Sequence, residues 1–252
     1  MNSYLYISRR GKNKIVFSGM SFEAFYRLVE PKFNNIMLLR SDCLGNRCVR
    51  NFEIAEGGTA IEQFLNKWKS QHNLGDFHCM DCDGEESVRK LTEDEIKDIL
   101  YMSHMRDASC APFFKTLNNR FVYLSHDDDW YVRLYIKNEL EFLNAAVKSI
   151  LQQLGSAQKK RAFIGRLWST AKRGNLYGCS KDGAQKSEDS LRSGIIRYWS
   201  DGVFVDLDSA EFNENGILIK MYVVGRFDDM DKMFDAVQRR KQAAPDEIIW
   251  IA

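Results

Sequence analysis

Cysteine spacing is the sharpest chemical pattern in this sequence. Cys79 and Cys82 form a C-x2-C pair, whose two sulfurs can bind one tetrahedral zinc ion. Cys43 and Cys48 form a looser C-x4-C pair upstream, and the four thiolates together would make a structural zinc site without an open position for a substrate. Two alternatives stay open: reduced cysteines without a metal, or a redox C-x-x-C, which usually opens a helix after a strand.

Two aspartates form a second candidate site. Asp206 and Asp208 alternate along a segment with a strand pattern, so their carboxylates share a face and could hold one Mg²⁺. With Lys220 on the next strand, this arrangement predicts a metal-dependent phosphodiesterase or nuclease. Leu218 weakens this hypothesis, because such nucleases usually carry an acid two positions before the lysine. The alternative is a solvated strand end that leads into a turn.

The register of these two strands also weakens the nuclease hypothesis. The Asn-Gly dipeptide at 215–216 is a strong hairpin signal, because both central residues of that turn need φ above zero. A tight turn there pairs Glu211 with Lys220 and Asp208 with Val223. Lys220 then lies on the opposite face of the sheet from the two aspartates, unless a β-bulge shifts the register.

Charge is balanced over the whole chain but segregated along it. Lysine and arginine number 36 against 35 acids, so the net charge of +1 gives no global argument for a nucleic-acid or membrane partner. Residues 156–186 hold eight basic side chains and one acid, whereas residues 76–98 hold nine acids and three basic side chains. This basic segment, 156–186, predicts a surface for nucleic acid or an acidic protein, unless the two segments neutralise each other or stay solvated. Its candidate partner-binding residues are Lys159, Lys160, Arg161, Arg166, Lys172 and Arg173.

Helices must present this basic segment. The apolar positions between Leu140 and Leu154 predict a helix that Asn138 can cap and Gly155 ends. Ser156 would begin a second helix with its own apolar stripe. The sequence therefore predicts a central helical hairpin over about 138–172.

The wider pattern predicts an α+β fold. Strand-like and helical segments follow one another without regular β-α-β alternation, which favours mixed or antiparallel sheet segments over a doubly wound sheet. Capping boxes at Thr59–Glu62 and Thr92–Glu95 predict the starts of two helices. We expect an N-terminal α+β region over 1–90 and a C-terminal α+β region with the hairpin over 91–252, or else a single domain.

Composition narrows the function classes without selecting one. No apolar run approaches the roughly 20 residues of a membrane span, and six cysteines are few for a secreted disulfide scaffold, so we expect a cytoplasmic protein without a membrane partner. No glycine-rich phosphate loop is present, so no nucleotide cofactor site is recognisable. The leading hypothesis is a non-catalytic binding protein that engages nucleic acid or an acidic protein through the basic segment. The alternatives are the phosphodiesterase, and a structural subunit or toxin-neutralising, defence-complex protein.

Overall fold

The chain divides into two compact units. One unit comprises Met1–Gly11 with Leu143–Ala252, and the other comprises Lys12–Phe142. The computed structural model describes residues 4–8, 14–17, 21–39, 48–50, 52–70, 77–104, 112–126, 131–165, 188–189, 191–196, 203–212, 218–226 and 247–250.

Strands and helices are mixed along the chain. The strands are β1 (Tyr4–Ser8), β2 (Lys14–Phe17), β3 (Asn35–Leu38), β4 (Cys48–Val49), β5 (Phe52–Glu56), β6 (His78–Asp81), β7 (Phe121–His126), β8 (Tyr131–Ile136), β9 (Val203–Phe212), β10 (Leu218–Arg226) and β11 (Glu247–Trp250). The helices are α1 (Phe22–Leu28), α2 (Gly58–Ser70), α3 (Glu85–Arg89), α4 (Glu93–His104) and α5 (Glu139–Gly165).

Every described strand pair is antiparallel. In the unit Lys12–Phe142 the strand order is β2-β8-β7-β6-β3-β5-β4. In the other unit the order is β11-β10-β9-β1. Antiparallel strands together with helices confirm the predicted α+β class.

The boundary expected near residue 90 falls inside the unit Lys12–Phe142. β6 precedes that boundary and β7 follows it, and the two strands pair from His78 with Leu124 to Met80 with Val122. The backbone hydrogen bonds of one ladder therefore join the chain on both sides of residue 90.

The central strands of the unit Lys12–Phe142 are buried on both faces. All residues of β7 from Phe121 to Ser125 are buried. Because successive side chains of a strand point to opposite faces, Met80 and Val122 share one face, where they join a buried cluster with Ile99 and Met102 of α4.

Aromatic rings fill the opposite face. The ring of Tyr123 lies 5.2 Å from Phe22 and 5.7 Å from Phe25, both on α1, and 5.9 Å from Phe77. Ser21 caps α1 by accepting a hydrogen bond from the backbone N–H of residue 24. Burying each large apolar side chain stabilises the fold by about 1.5–3 kcal/mol, so α1 is held mainly by this cluster.

One of the two predicted capping boxes forms as predicted, and the other lies at a different position in its helix. Thr92 and Glu95 form the predicted reciprocal pair: the Glu95 backbone N–H donates to Thr92 Oγ1 at 3.2 Å, and the Thr92 N–H donates to Glu95 Oε2 at 2.9 Å. α2 begins at Gly58, so Thr59 lies inside the helix rather than at its cap. The chain enters α2 through Gly57, whose φ of 85° suits glycine.

The predicted break at Gly155 is wrong. α5 runs without interruption from Glu139 to Gly165, so a single helix replaces the predicted helical hairpin as far as residue 165, and residues 166–172 lie outside the described part. A glycine inside a helix costs about 1 kcal/mol relative to alanine, and the alanine, glutamine, lysine and arginine residues that follow are good helix formers. Asn138 caps this helix as predicted, because its Oδ1 accepts the N–H groups of residues 140 and 141.

None of the helices in the described ranges has the length and apolar character needed to cross a membrane.

Candidate functional site

The predicted basic surface is divided between a helix and residues outside the described part. Lys159, Lys160 and Arg161 lie in the C-terminal third of α5. Arg166 and the lysine–arginine pair at 172–173 fall outside the described residues. The structure therefore gives a helical backbone to half of the six candidate partner-binding residues.

The preceding turns of α5 are well packed. Ala146, Val147, Ile150 and Leu154 are at most 3% exposed. Their spacing follows the period of an α-helix, so this part of α5 has a continuous buried stripe. The basic run at 159–161 begins just over one turn after Leu154, on the same continuous helix.

Polar contacts also hold α5. Arg192 donates a hydrogen bond to Asn144 Oδ1 at 2.5 Å and another to Glu188 Oε1 at 3.0 Å. Leu191 and Ile195 from the same stretch are each 1% exposed. These contacts stabilise residues 188–196 and the middle of α5 within one unit.

The acidic segment 76–98 is only partly a surface. Asp81 and Glu85 are buried, and Arg89 forms an ion pair with Glu85. Burial of a carboxylate requires hydrogen bonds or an opposite charge to offset its lost hydration. These two acids therefore serve the fold and cannot contribute to an exposed anionic patch.

Exposed acids of this segment have nearby cations. Arg50 donates to Glu93 at 3.0 Å, and Lys97 donates to Asp94 at 3.1 Å. Such exposed ion pairs contribute only about 0–1 kcal/mol each. They nevertheless reduce the local negative potential without any contribution from the basic segment.

Asp81 is a buried acid that accepts three hydrogen bonds. Its Oδ1 accepts the backbone N–H groups of Arg120 at 2.8 Å and Phe121 at 2.9 Å, and its Oδ2 accepts Arg120 Nε at 3.3 Å. Arg120 also donates to Glu141 Oε1 and to the Pro31 carbonyl, each at 3.2 Å. Burial raises the pKa of Asp81 to about 6, although the hydrogen bonds from Phe121 and Arg120 favour the charged form.

The zinc candidates do not form one group of thiolates in the described residues. Cys48 is disulfide-bonded, while Cys79 and Cys82 are buried free thiols. Cys82 belongs to the same buried cluster as Met80. Cys79 is the residue before Met80 in β6, so its side chain points to the other face of the sheet. The two thiols therefore lie on opposite faces of the sheet, because an offset of three residues in extended chain reverses the direction of a side chain.

Burial also affects the protonation of these thiols in the metal-free chain. Burial raises the pKa of Cys79 well above its usual value, and burial raises the pKa of Cys82 to about 11. Both groups are then neutral thiols at pH 7 in the metal-free chain, and zinc would have to displace their protons on binding. Cys43 lies outside the described residues, so the four-cysteine site stays a prediction.

The pairing of β9 with β10 changes one of the arguments about the candidate site at Asp206 and Asp208. Both residues lie in β9, as expected, and Glu211 pairs with Lys220, as predicted. Val223 pairs with Val205 rather than with Asp208, because the register of the ladder between β9 and β10 shifts along its length. The argument that a regular register separates Lys220 from the aspartates therefore fails, and catalysis at this site stays a prediction.

Sequence reasoning missed the network around Asp81. It treated Asp81 only as one charge of the acidic segment and assigned no role to Arg120. An acid at the end of a strand-like apolar segment was the available signal, since buried carboxylates need a partner. Nothing in the sequence identified the arginine 39 residues away as that partner.

Within the described ranges, no three His, Cys, Asp or Glu side chains are arranged so that they could hold a metal ion. Comparison of the chain with protein-family models, curated proteins and solved structures found no match. A functional proposal for this chain therefore depends on its own residues and geometry.

Proposed function

We propose that this chain is a non-catalytic binding protein that engages nucleic acid through the basic segment. The observation that carries the proposal is the continuity of α5, whose backbone joins the buried stripe that includes Leu154 to the basic run at 159–161. A helix packed in this way limits the conformational entropy lost when the basic run on the same helix binds a partner.

The composition of the basic segment favours nucleic acid over an acidic protein. It holds eight basic side chains and a single acid, Asp182. A polyphosphate backbone presents only negative charge, so an almost uniformly positive segment suits it. Tyr177 lies among the basic residues, and aromatic rings of this kind stack on unpaired bases.

The pairing within the acidic segment supports the same proposal. Arg50 and Lys97 already neutralise part of that segment within the unit Lys12–Phe142. Glu93 and Asp94 therefore have local cations, and an external polyanion remains a suitable partner for the basic segment.

Fluorescence anisotropy with labelled single-stranded RNA and duplex DNA tests the proposal. Affinity should fall steeply between 50 and 200 mM salt, by about 0.7–0.9 logarithmic units per logarithmic unit of salt for each phosphate neutralised. Two variants remove the contacts separately: Lys159, Lys160 and Arg161 to Glu, and Arg166, Lys172 and Arg173 to Glu. Each should weaken binding at least tenfold and reduce the salt slope.

A matched variant controls for net charge. Replacing Lys90, Lys97 and Lys115 by Glu makes the same change in charge at exposed positions outside the basic segment. This variant should bind nearly as well as the wild type, and circular dichroism should show the helical content of all three variants unchanged. Failure of the wild type to bind either nucleic acid, or equal loss in the control, would contradict the proposal and favour an acidic protein partner.

A further inference from the structure

A short glycine junction joins β5 to α2. β5 ends at Glu56, and α2 begins at Gly58 and extends for 13 residues. The first N–H groups of a helix have no acceptor within the helix, so side chains, water or a ligand must satisfy them. Within the described residues, the three backbone N–H groups of positions 58–60 donate no hydrogen bond to the protein. The start of α2 therefore presents three backbone donors.

No side chain in the described part of the chain caps these donors. The residue before the helix is Gly57, and glycine has no side-chain oxygen that could act as a cap. Thr59, in the first turn, carries a hydroxyl that forms no hydrogen bond with the described residues. The first turn contains no acid, and Gly58 and Thr59 are both exposed. A dissolved anion can therefore reach this turn and would meet donors there.

The hydroxyl of Tyr26 lies beside the same turn. Tyr26 belongs to α1, is only 8% exposed, and packs its ring against Phe22 and Phe33. Its oxygen lies 3.9 Å from the point that a Cβ on Gly58 would occupy. Within the described residues, this hydroxyl has no hydrogen-bond partner. An unsatisfied polar group on a buried side chain is uncommon, so Tyr26 is a second, independent indication of a ligand at the start of α2.

The charges around this turn favour an anion. The dipole of α2 places roughly half a positive charge at its first turn. Lys32 Nζ lies 5.2 Å from the centroid of the Tyr26 ring and adds a cation. Of the nearby acids, Glu56 has its Oε1 bound to the Glu85 N–H at 2.6 Å, and Glu62 lies further along the helix. Burial, and then the charge of Glu62, raise the pKa of Tyr26, so its hydroxyl stays protonated and can donate.

We propose that the first turn of α2, together with the hydroxyls of Tyr26 and Thr59, is a binding site for a phosphate group. The three N–H groups and the two hydroxyls suit the several acceptor oxygens of one phosphate, which would cap the helix and interact favourably with its dipole. The site lies in the unit Lys12–Phe142, whereas the basic segment belongs to the other unit. It is therefore an addition to the proposed nucleic-acid surface.

Titration with inorganic phosphate, followed by amide NMR, tests the site. The resonances of residues 58–60 should shift in a saturable manner, and sodium chloride at equal ionic strength should leave them in place. Phosphate at about ten times its Kd should lower the unfolding equilibrium constant about elevenfold in urea denaturation, because it binds the folded protein. Tyr26→Phe keeps the ring and removes the hydroxyl, so phosphate affinity should fall about tenfold with little change in stability.

Gly58→Asp and Gly58→Ala form a matched pair. The backbone of Gly58 is not left-handed, and a Cβ there would meet the Tyr26 hydroxyl at an ordinary contact distance of 3.9 Å, so both side chains fit. The aspartate places a carboxylate at the helix start, so this variant should be more stable than the wild type and should lose phosphate binding. Gly58→Ala should keep it. Unshifted resonances of residues 58–60 in the wild type, or equal phosphate affinity in the two variants, would overturn the proposal.

An oligonucleotide with a 5′-phosphate, compared with the same oligonucleotide with a 5′-hydroxyl, identifies the source of the phosphate. We expect equal affinities, which assign the site to a small phosphorylated molecule. A gain from the 5′-phosphate that Gly58→Asp removes would support the same site and assign it to a nucleic-acid end. Binding of inorganic phosphate does not require the basic segment, so this proposal and the proposed function fail separately.

Discussion

Gly84 offers a sharp test of the packing around α3. Its backbone has φ 109° and ψ −176°, a conformation that only glycine adopts readily. A Cβ atom at this position would lie 2.9 Å from Glu56 Oε1. That oxygen is not free to move, because it accepts the backbone N–H of Glu85 at 2.6 Å.

Gly84→Ala should therefore destabilise the protein by about 3–5 kcal/mol. Backbone strain contributes about 1–3 kcal/mol, and displacement of the charge-assisted hydrogen bond from Glu85 to Glu56 contributes about 1.5–3 kcal/mol. This is a large share of the 5–15 kcal/mol that is typical of globular proteins. Urea denaturation followed by fluorescence measures the loss, with an unchanged m value as evidence that the unfolded state is unaffected.

Gly57 provides the matched control. It has φ 85°, but a Cβ there would meet no atom within 4 Å. Gly57→Ala should cost only about 1–2 kcal/mol, the usual penalty for left-handed backbone. In a Glu56→Ala background, the destabilisation caused by Gly84→Ala should lose the part that comes from displacing the Glu56 side chain and keep only the part that comes from backbone strain. An equal cost for both glycines, or for Gly84→Ala with and without the Glu56 side chain, would refute this reasoning.

The remaining predictions concern buried polar groups and cysteines. Asn119 is fully buried, accepts the Phe114 N–H at 2.7 Å and donates to the Pro112 carbonyl at 2.9 Å, so Asn119→Ala should cost about 2–5 kcal/mol in urea denaturation by orphaning both groups. Cys79 and Cys82 should resist iodoacetamide in the folded protein at pH 8 and react in urea, because burial raises the pKa of both thiols; mass spectrometry that finds both modified without denaturant would contradict this. Elemental analysis of protein purified without added metal should find one zinc per chain if the four-cysteine site forms, and zinc-free protein would end that hypothesis.

Local sequence signals predicted the elements whose causes are local. The pair Thr92 and Glu95 fixed the start of α4 because both members of the capping box lie within one helical turn. The prediction that a helix ends at Gly155 used the same kind of local signal and was wrong. Glycine ends a helix only where the chain can leave the helical path, and the helix-forming residues after it make continuation cheaper than a break.

The β9–β10 register shows the limit of turn-based prediction. The pairing of Glu211 with Lys220 lies close to the predicted turn and is confirmed. Further along, register shifts place Val223 opposite Val205, three residues from the predicted partner Asp208. A bulge depends on the packing and twist of neighbouring strands, so the sequence of one hairpin does not determine it.

The network of Asp81, Arg120 and Glu141 could not be predicted for a related reason. Its members come from β6, from the residue immediately before β7 and from the first turn of α5, and the pairing of β6 with β7 brings the first two together. Sequence can show that an acid lies in a strand that will be buried. Only the tertiary fold identifies its partner.

The number of charged residues in a segment of sequence therefore overestimates the charge of the surface that the segment forms, because some of those residues are buried or paired in the fold. Of the acids in 76–98, the fold buries Asp81 and Glu85 and pairs Glu93 and Asp94 with nearby cations, so the exposed negative charge is smaller than the sequence suggests. An attraction between this segment and the basic segment is weakened to the same extent, because paired charges contribute little field beyond about 10 Å at 0.1 M salt. A steep salt dependence of nucleic-acid binding would thus report mainly on the basic segment, and the control at residues 90, 97 and 115 separates that contribution from net charge.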